Sequence, residues 1–558
     1  MIKKMTLSLV MSLSVMLGVT HAQAPEKDSA MLNFLLGELA VQRNDLESAT
    51  GYLEKITKNQ KIPYVLRQQF NLAYGQADYV KALSYLDQIL VDEPDNIEVL
   101  LFEAIMYARL NSHDKAANVM NKIAGLYKKE ANDNGFHFLY RELKNQIEPK
   151  AFLDIYQKIA KANNYSAEVT PLLASLLVDN GHYSEAIQYL NEVIVKDQEN
   201  AVNYSLLMYA YSLLNEPAKG LEILKKAAEK STKADIKIEY LQALINEFYF
   251  KEALAYGDQL VKKYPEDARI YGHLALLNFA LRNNEIAKEN VDKVIQLKGD
   301  YVNVIFRLAD FARTTGRFGE LYDMLPNINV IDVQVVRLIA EADMALRKKS
   351  YATFLAIFDE LRTKFPDRTE YLYNQQLDML EKSYDYQLLL PYAEILDVVT
   401  NYELFIYTYY KSVAYQEMKQ YDKMQELMLT WIQKNPEDAL ALNGYGYVML
   451  EIAKDAKERA YAMEYLKKAV KLAPDEPAIL DSVGWGYFQE KNYVEARKYL
   501  WPAFNRLKQP DVIAHYIALL IEEKNIKEAK SLFDRLKVVY PDHAETIALK
   551  KRYQGILK

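Results

Sequence analysis

The sequence predicts an all-α protein, a right-handed superhelical solenoid of about 14–15 stacked helix pairs. Three observations carry the prediction. The 558 residues include only 18 Gly and 16 Pro, about half of the roughly 12% the two contribute to an average chain. Such a chain has few turns to make and few helices to break. Half of the residues are apolar, ample for a large core and far from the composition of a disordered chain. Small and apolar residues also recur at a regular period. One continuous stack therefore replaces the three or four domains that length alone suggests.

Residues 1–22 read as an address. Lys3 and Lys4 precede an uncharged apolar stretch from Met5 to Val19, and Thr20-His21-Ala22 puts small residues around a cleavage point. This is the pattern of a secretory signal peptide, with a core short for a spanning helix. Cleavage is expected after Ala22, because the alternative after Ala24 would leave Pro25 at the cut. No later stretch approaches a membrane span. The expected location is the periplasm.

Residues 23–299 are expected to form the N-terminal solenoid. Its clearest unit is the 34-residue segment Ala167–Asn200. Counting from Ala167, small residues stand at positions 8 (Ala174) and 20 (Ala186), where two helix backbones must approach. Leu173, Leu177, Leu190 and Val193 supply apolar stripes of helical period. Gly181 at position 15 suits a left-handed helix end. The spacing recurs in Gly37/Ala49, Ala104/Ala116, Ala275/Ala287 and Gly484/Ala496. In other units Ala82, Ala253, Met424 and Ala529 are followed by a helix-stopping Pro94, Pro265, Pro436 and Pro541. The pattern resembles the tetratricopeptide repeat (TPR), a helix–turn–helix unit.

Residues 300–400 keep helical periodicity but lose much of the signature, with Gly316, Gly319 and Pro326 marking short turns. They are expected as degenerate helical repeats, too small for an inserted catalytic domain. The signature returns over 401–543. Residues 544–558 read as a capping helix over the last apolar face. Most of the 44 Tyr, among them Tyr107, Tyr183, Tyr211 and Tyr421, are assigned to filling inter-helix space with the hydroxyl near water.

Several functions are disfavoured. With no Cys there is no disulfide scaffold, thiol nucleophile or lipidated cysteine. A net charge of −7 with no basic domain argues against nucleic acid as a partner. None of the seven His falls in an H-E-x-x-H arrangement, and no phosphate loop or nucleophile elbow is present. No catalytic residue, metal ligand or cofactor is assigned, and the protein is read as non-enzymatic.

Two neighbouring units stand out as a candidate binding surface. In ALNGYGY (441–447) and ILDSVGW (479–485), Asn443 aligns with Asp481 and Tyr447 with Trp485. These are positions 5 and 9 of the first helix, which usually face the groove. A polar residue and an aromatic one turn apart can hold a peptide by hydrogen bonding and stacking. Packing against the next repeat is the competing explanation. Gly446 and Ala462 are sixteen residues apart rather than twelve, so this unit carries a four-residue insertion. The groove lacks the Lys, Arg and Asn set that grips a peptide's terminal carboxylate, and Asp481 would repel one.

The run from ALNGYGY through DSVGWGYFQEKNYVEARKYL resembles the C-terminal repeats of large envelope TPR proteins of Gram-negative bacteria, most clearly at Leu480–Trp485. Leu39–Asp45 is similar to their opening repeat. Some members are outer-membrane lipoproteins that act as adaptors, presenting cell-wall hydrolases to a carboxyl-terminal processing protease. The resemblance implies envelope proteins as partners, that protease and those hydrolases among them. Without a Cys the lipid anchor is not expected here. A structural part in an envelope assembly for surface polymer export, pilus or outer-membrane biogenesis is the alternative.

Overall fold

The computed structural model describes residues 29–58, 61–214, 216–326, 330–399 and 405–557. The expected signal peptide, residues 1–22, lies outside them. The chain divides into two units at Gln198/Glu199. In the first unit the described helices are α1 (Ala30–Gln42), α2 (Leu46–Thr57), α3 (Pro63–Gly75), α4 (Tyr79–Asp92), α5 (Ile97–Arg109), α6 (His113–Ala131), α7 (Gly135–Leu143), α8 (Pro149–Ala162), α9 (Thr170–Asp179) and α10 (Tyr183–Lys196). Consecutive helices pack as antiparallel pairs.

The second unit continues with α11 (Ala201–Leu213), α12 (Pro217–Lys230), α13 (Ala234–Asn246), α14 (Phe250–Lys263), α15 (Ala268–Ala280), α16 (Asn284–Gln296) and α17 (Tyr301–Thr314). A 3₁₀ segment, Phe318–Met324, takes the place of a partner helix for α17. Then follow α18 (Ile331–Arg347), α19 (Tyr351–Lys364), α20 (Thr369–Lys382), α21 (Tyr386–Val399), α22 (Phe405–Glu417) and α23 (Tyr421–Lys434). The last repeats are α24 (Ala439–Ile452), α25 (Ala456–Leu472), α26 (Pro477–Gln489), α27 (Tyr493–Arg506), α28 (Pro510–Glu522) and α29 (Ile526–Val539), with α30 (Ala544–Arg552) against α28. The fold is an all-α repeat solenoid. The described residues of 300–400 form helix pairs and two 3₁₀ segments, Phe318–Met324 and Pro366–Arg368.

The repeat positions explain the packing. Ala49, Ala82, Ala104, Ala116, Ala174, Ala186, Ala253, Ala275, Ala287, Ala496 and Ala529 are fully buried. At these crossings a larger side chain would push the paired helices apart. Gly484 shows the limit: a Cβ there would lie 2.8 Å from the Leu500 backbone nitrogen. In the longer unit, Gly446 meets Leu466 and the Ala462 carbonyl, so the insertion preserves the crossing. It adds a short connection capped by Asp455, whose side chain accepts from the Lys457 and Glu458 amides.

Position 15 is left-handed in repeat after repeat, yet among the described residues only Gly181 and Gly316 are glycines there. Asn44, Ala77, Asn111, Phe248, Arg282, Lys349, Lys419, Lys491 and Lys524 hold φ between 53° and 65°. The next residue starts the second helix: Asp45, Asp78 and Asn492 accept from the amides of Ser48, Lys81 and Glu495.

The second unit also departs from an open groove. Arg535 donates to the Glu247 carbonyl and lies 4.5 Å from the Tyr249 ring centre. Arg282 pairs with Asp542 at 3.0 Å. One apolar cluster joins Leu241, Leu244 and Phe250 to Leu519, Phe533 and Tyr540. The last repeats thus seat against residues 234–311. Local periodicity carries no signal for partners more than 250 residues apart.

Candidate partner-binding surface

The four candidate residues sit on the first helices of two adjacent repeats, Asn443 and Tyr447 on α24, Asp481 and Trp485 on α26. Asn443 is half-buried, and its Oδ1 is shielded with no hydrogen-bond partner. Tyr447 is half-buried as well. Its hydroxyl pKa is driven far up, first by burial and then by the charges of Glu451, Asp481, Asp511 and Glu545.

Asp481 and Trp485 converge on His515 of α28. Asp481 Oδ2 lies 2.9 Å from His515 Nδ1, and both side chains are buried. Oδ1 of Asp481 has no partner. The Trp485 ring stacks on the imidazole, 3.9 Å between centres and 13° between planes, and on Phe488 at 4.7 Å. Its Nε1 donates to Glu451 Oε1 at 2.9 Å, an oxygen that also accepts from Gln489 Nε2. Arg552 of α30 lies 5.9 Å from the indole centre. Burial works against the imidazolium, but Asp481, then Asp511 and Glu545, outweigh it and raise the His515 pKa. The structure thus joins Asp481 to Trp485 through His515, while Asn443 makes no recorded contact with the other candidates.

A second acidic and aromatic group lies on α20 and α22, within reach of the charge of Asp511. Glu381 of α20 is pushed up to about 7 by burial and by Asp378, with a smaller contribution from Asp511. The Tyr409 hydroxyl donates to it at 3.5 Å. Among the described residues, no three His, Asp or Glu side chains converge to hold a metal ion.

Sequence reasoning missed His515, Glu451 and Glu545. A signal was available in the repeat length. Glu451–Trp485 and Asp481–His515 are each 34 residues apart. So are Ser205–Glu239, Asp235–Arg269, His273–Arg307 and Tyr351–Asp385, all in contact. One repeat of separation places two residues side by side on neighbouring helices, as four residues do within one helix.

Residues 67–131 match the family model of the tetratricopeptide repeat. The chain thus carries tetratricopeptide repeats. It is 27% identical over 218 residues to the TPR repeat-containing protein PA4667 of Pseudomonas aeruginosa, covering 38% of this chain and 34% of that protein. It is 28% identical over 214 residues to lipopolysaccharide assembly protein B of Escherichia coli K12, covering 36% of this chain and 54% of that one. The chain thus spans about a third of the first relative's length and about half of the second's. Yeast Tom70 aligns over 92% of this chain and all of that one, at 16% identity and a TM-score of 0.31. The Cut9–Hcn1 hetero-tetramer aligns over 98% of each chain, at 12% identity and a TM-score of 0.30. Repeats of this kind form protein–protein interaction scaffolds, without a catalytic centre of their own. No described helix is long and apolar enough to cross a membrane.

Proposed function

We propose that this protein is a non-enzymatic periplasmic scaffold that holds envelope proteins, and that Asn443, Tyr447, Asp481 and Trp485 mark its partner-binding face. The observation that carries this reading is the inner face itself. Tyr447 and Trp485 present aromatic surface near the carboxylates of Glu451 on α24, Asp511 on α28 and Glu545 on α30. Such a face suits a segment with Lys or Arg between apolar residues, held by stacking and by charge. The scaffold contributes orientation and effective concentration, not bond chemistry.

In the adaptor form of the proposal, one partner is a carboxyl-terminal processing protease and the other a cell-wall hydrolase. The second reading is a structural part in an envelope assembly. It is favoured by the relative named for lipopolysaccharide assembly. Measuring hydrolase levels in cells with and without the protein separates the two. An adaptor predicts hydrolase accumulation on its loss and co-purification of a protease. Unchanged levels with a stoichiometric, stable complex favour assembly. Recovery of no envelope protein by crosslinking overturns both.

A further inference from the structure

Where the last repeats of the second unit meet residues 205–314, a cavity of about 770 Å³ remains. That is within the range of small-ligand sites, about 300–1,000 Å³. Its walls come from α11, α13 and α17 on one side, and from the end of α27 and the following turn on the other. Phe248 and Phe311 line it with apolar surface.

Its charges are unevenly paired: the wall carries the carboxylates Glu239, Glu247 and Asp310 and the cations Arg307, Arg313 and Lys508. Of the carboxylates in the wall, Glu239 accepts from the Ser205 hydroxyl and Asp310 is paired with Arg313 at 2.9 Å. Arg307 has no carboxylate partner among the described residues. Its Nη2 donates to Gln242 Oε1 at 2.9 Å and lies 3.5 Å from His273 Nδ1. His273 brings no compensating charge, since burial and then Arg307 push its pKa down to about 3. Lys508 sits 3.6 Å from the Phe504 ring centre, and its only carboxylate, Glu247, is 4.0 Å away. Its charge is desolvated, and its pKa is lowered to about 8, first by burial. Asn505, in the same wall, has both ends of its amide shielded and unpartnered. Two cations held in a low dielectric with incomplete counter-charge are costly to the fold. Removing that cost takes an anion.

We propose that this cavity binds a carboxylate flanked by apolar groups, held by the Arg307 guanidinium and the Lys508 ammonium. The planar guanidinium accepts a carboxylate on two donors and Lys508 supplies a point charge. The phenyl walls take the neighbouring apolar groups. The site shares no residue with the Tyr447–Trp485 face, so it stands or falls separately from that reading. Because its walls come from both sides of the closure, an occupant also favours the closed arrangement by mass action. The carboxylate can belong to an acidic side chain or to a peptide terminus, and the probes below distinguish them.

The test is calorimetric titration of the full chain with three tripeptides: acetyl-Phe-Glu-Phe-amide, acetyl-Phe-Gln-Phe with a free terminal carboxylate, and acetyl-Phe-Gln-Phe-amide. At least one carboxylate probe is expected to bind saturably at one site, and the neutral probe at least about tenfold more weakly. The carboxylate probe that binds identifies the source. Arg307→Gln and Lys508→Met are each expected to weaken it about tenfold or more, with Val494→Ala, on an exposed surface, leaving it unchanged. Thermal melts check that each variant folds. If Arg307→Gln does not, Arg307→Lys, which keeps the charge but loses the fork, takes its place. Absence of saturable binding of both carboxylate probes, or unchanged affinity in Lys508→Met, overturns the proposal.

Discussion

Replacing Asp481 by Asn tests the buried charge at the centre of the candidate face. His515 and Asp481 are 4% and 7% exposed, so water screens the pair little. The His515 pKa is raised in the folded chain above its usual value of about 6.5. The stabilisation linked to its proton is therefore fully present below about pH 6.5, and is lost as pH rises through the folded pKa. One proton gives a slope of at most about 1.4 kcal/mol per pH unit. In Asp481→Asn the dominant opposing charge is gone, burial prevails, and the imidazole goes neutral. At pH 6 the loss is that of a broken buried ion pair, about 3 kcal/mol. Above the folded pKa the native imidazole is neutral too, and the loss shrinks to about one hydrogen bond, roughly 1 kcal/mol. Trp431, Trp485 and Trp501 all lie in these repeats, so urea unfolding followed by tryptophan fluorescence reads this region directly. A destabilisation that stays constant over the whole range in which the fold holds, from pH 6 upward, would show that His515 is not the charged partner, and the reasoning would fail.

Other predictions follow from the packing. Gly484→Ala drives a methyl group against the Leu500 backbone and is expected to lower stability by about 1–3 kcal/mol. Gly444→Ala meets the end of the flexible Met428 side chain at 3.3 Å and the Phe405 ring at an ordinary 3.9 Å, and should gain up to about 1 kcal/mol of helix propensity; the two urea midpoints should move in opposite directions. At the left-handed Lys349, φ 57°, substitution by Gly relieves strain of about 1–2 kcal/mol less the added chain entropy, so a small rise in melting temperature is expected and a fall would contradict it. Arg535→Ala removes a ring contact and a hydrogen bond across the closure, together about 1–2 kcal/mol. Hydrogen exchange in α28–α30 should then quicken, while α1–α10 stays unchanged.

Much of the fold was legible because the repeat writes the same steric demand many times. Ala104/Ala116 and Ala275/Ala287 were readable as helix crossings, and the structure buries all four completely. The left-handed position was only half legible. Gly181 announced it, but Phe248, Arg282 and Lys491 occupy it without any sequence sign, since repeat packing overrides local preference there. Within the candidate site, Asp481 and Trp485 were singled out from their spacing. His515 was passed over because it was weighed only as a metal ligand, although it stands one repeat beyond Asp481. The closure through Arg282–Asp542 and Arg535–Glu247 was not legible at all. Periodicity describes neighbours, and these contacts join segments 260 and 288 residues apart.

The central claim is that the Tyr447–Trp485 face holds an envelope protein. The most direct measurement places a photocrosslinking residue at position 447 in the cell, and at Val494, which is 73% exposed on another surface, as the control. The account predicts a discrete crosslinked species of defined mass from position 447, absent from 494, that mass spectrometry identifies as an envelope protein. Identical products from both positions, or only crosslinks within the chain from 447, would contradict it.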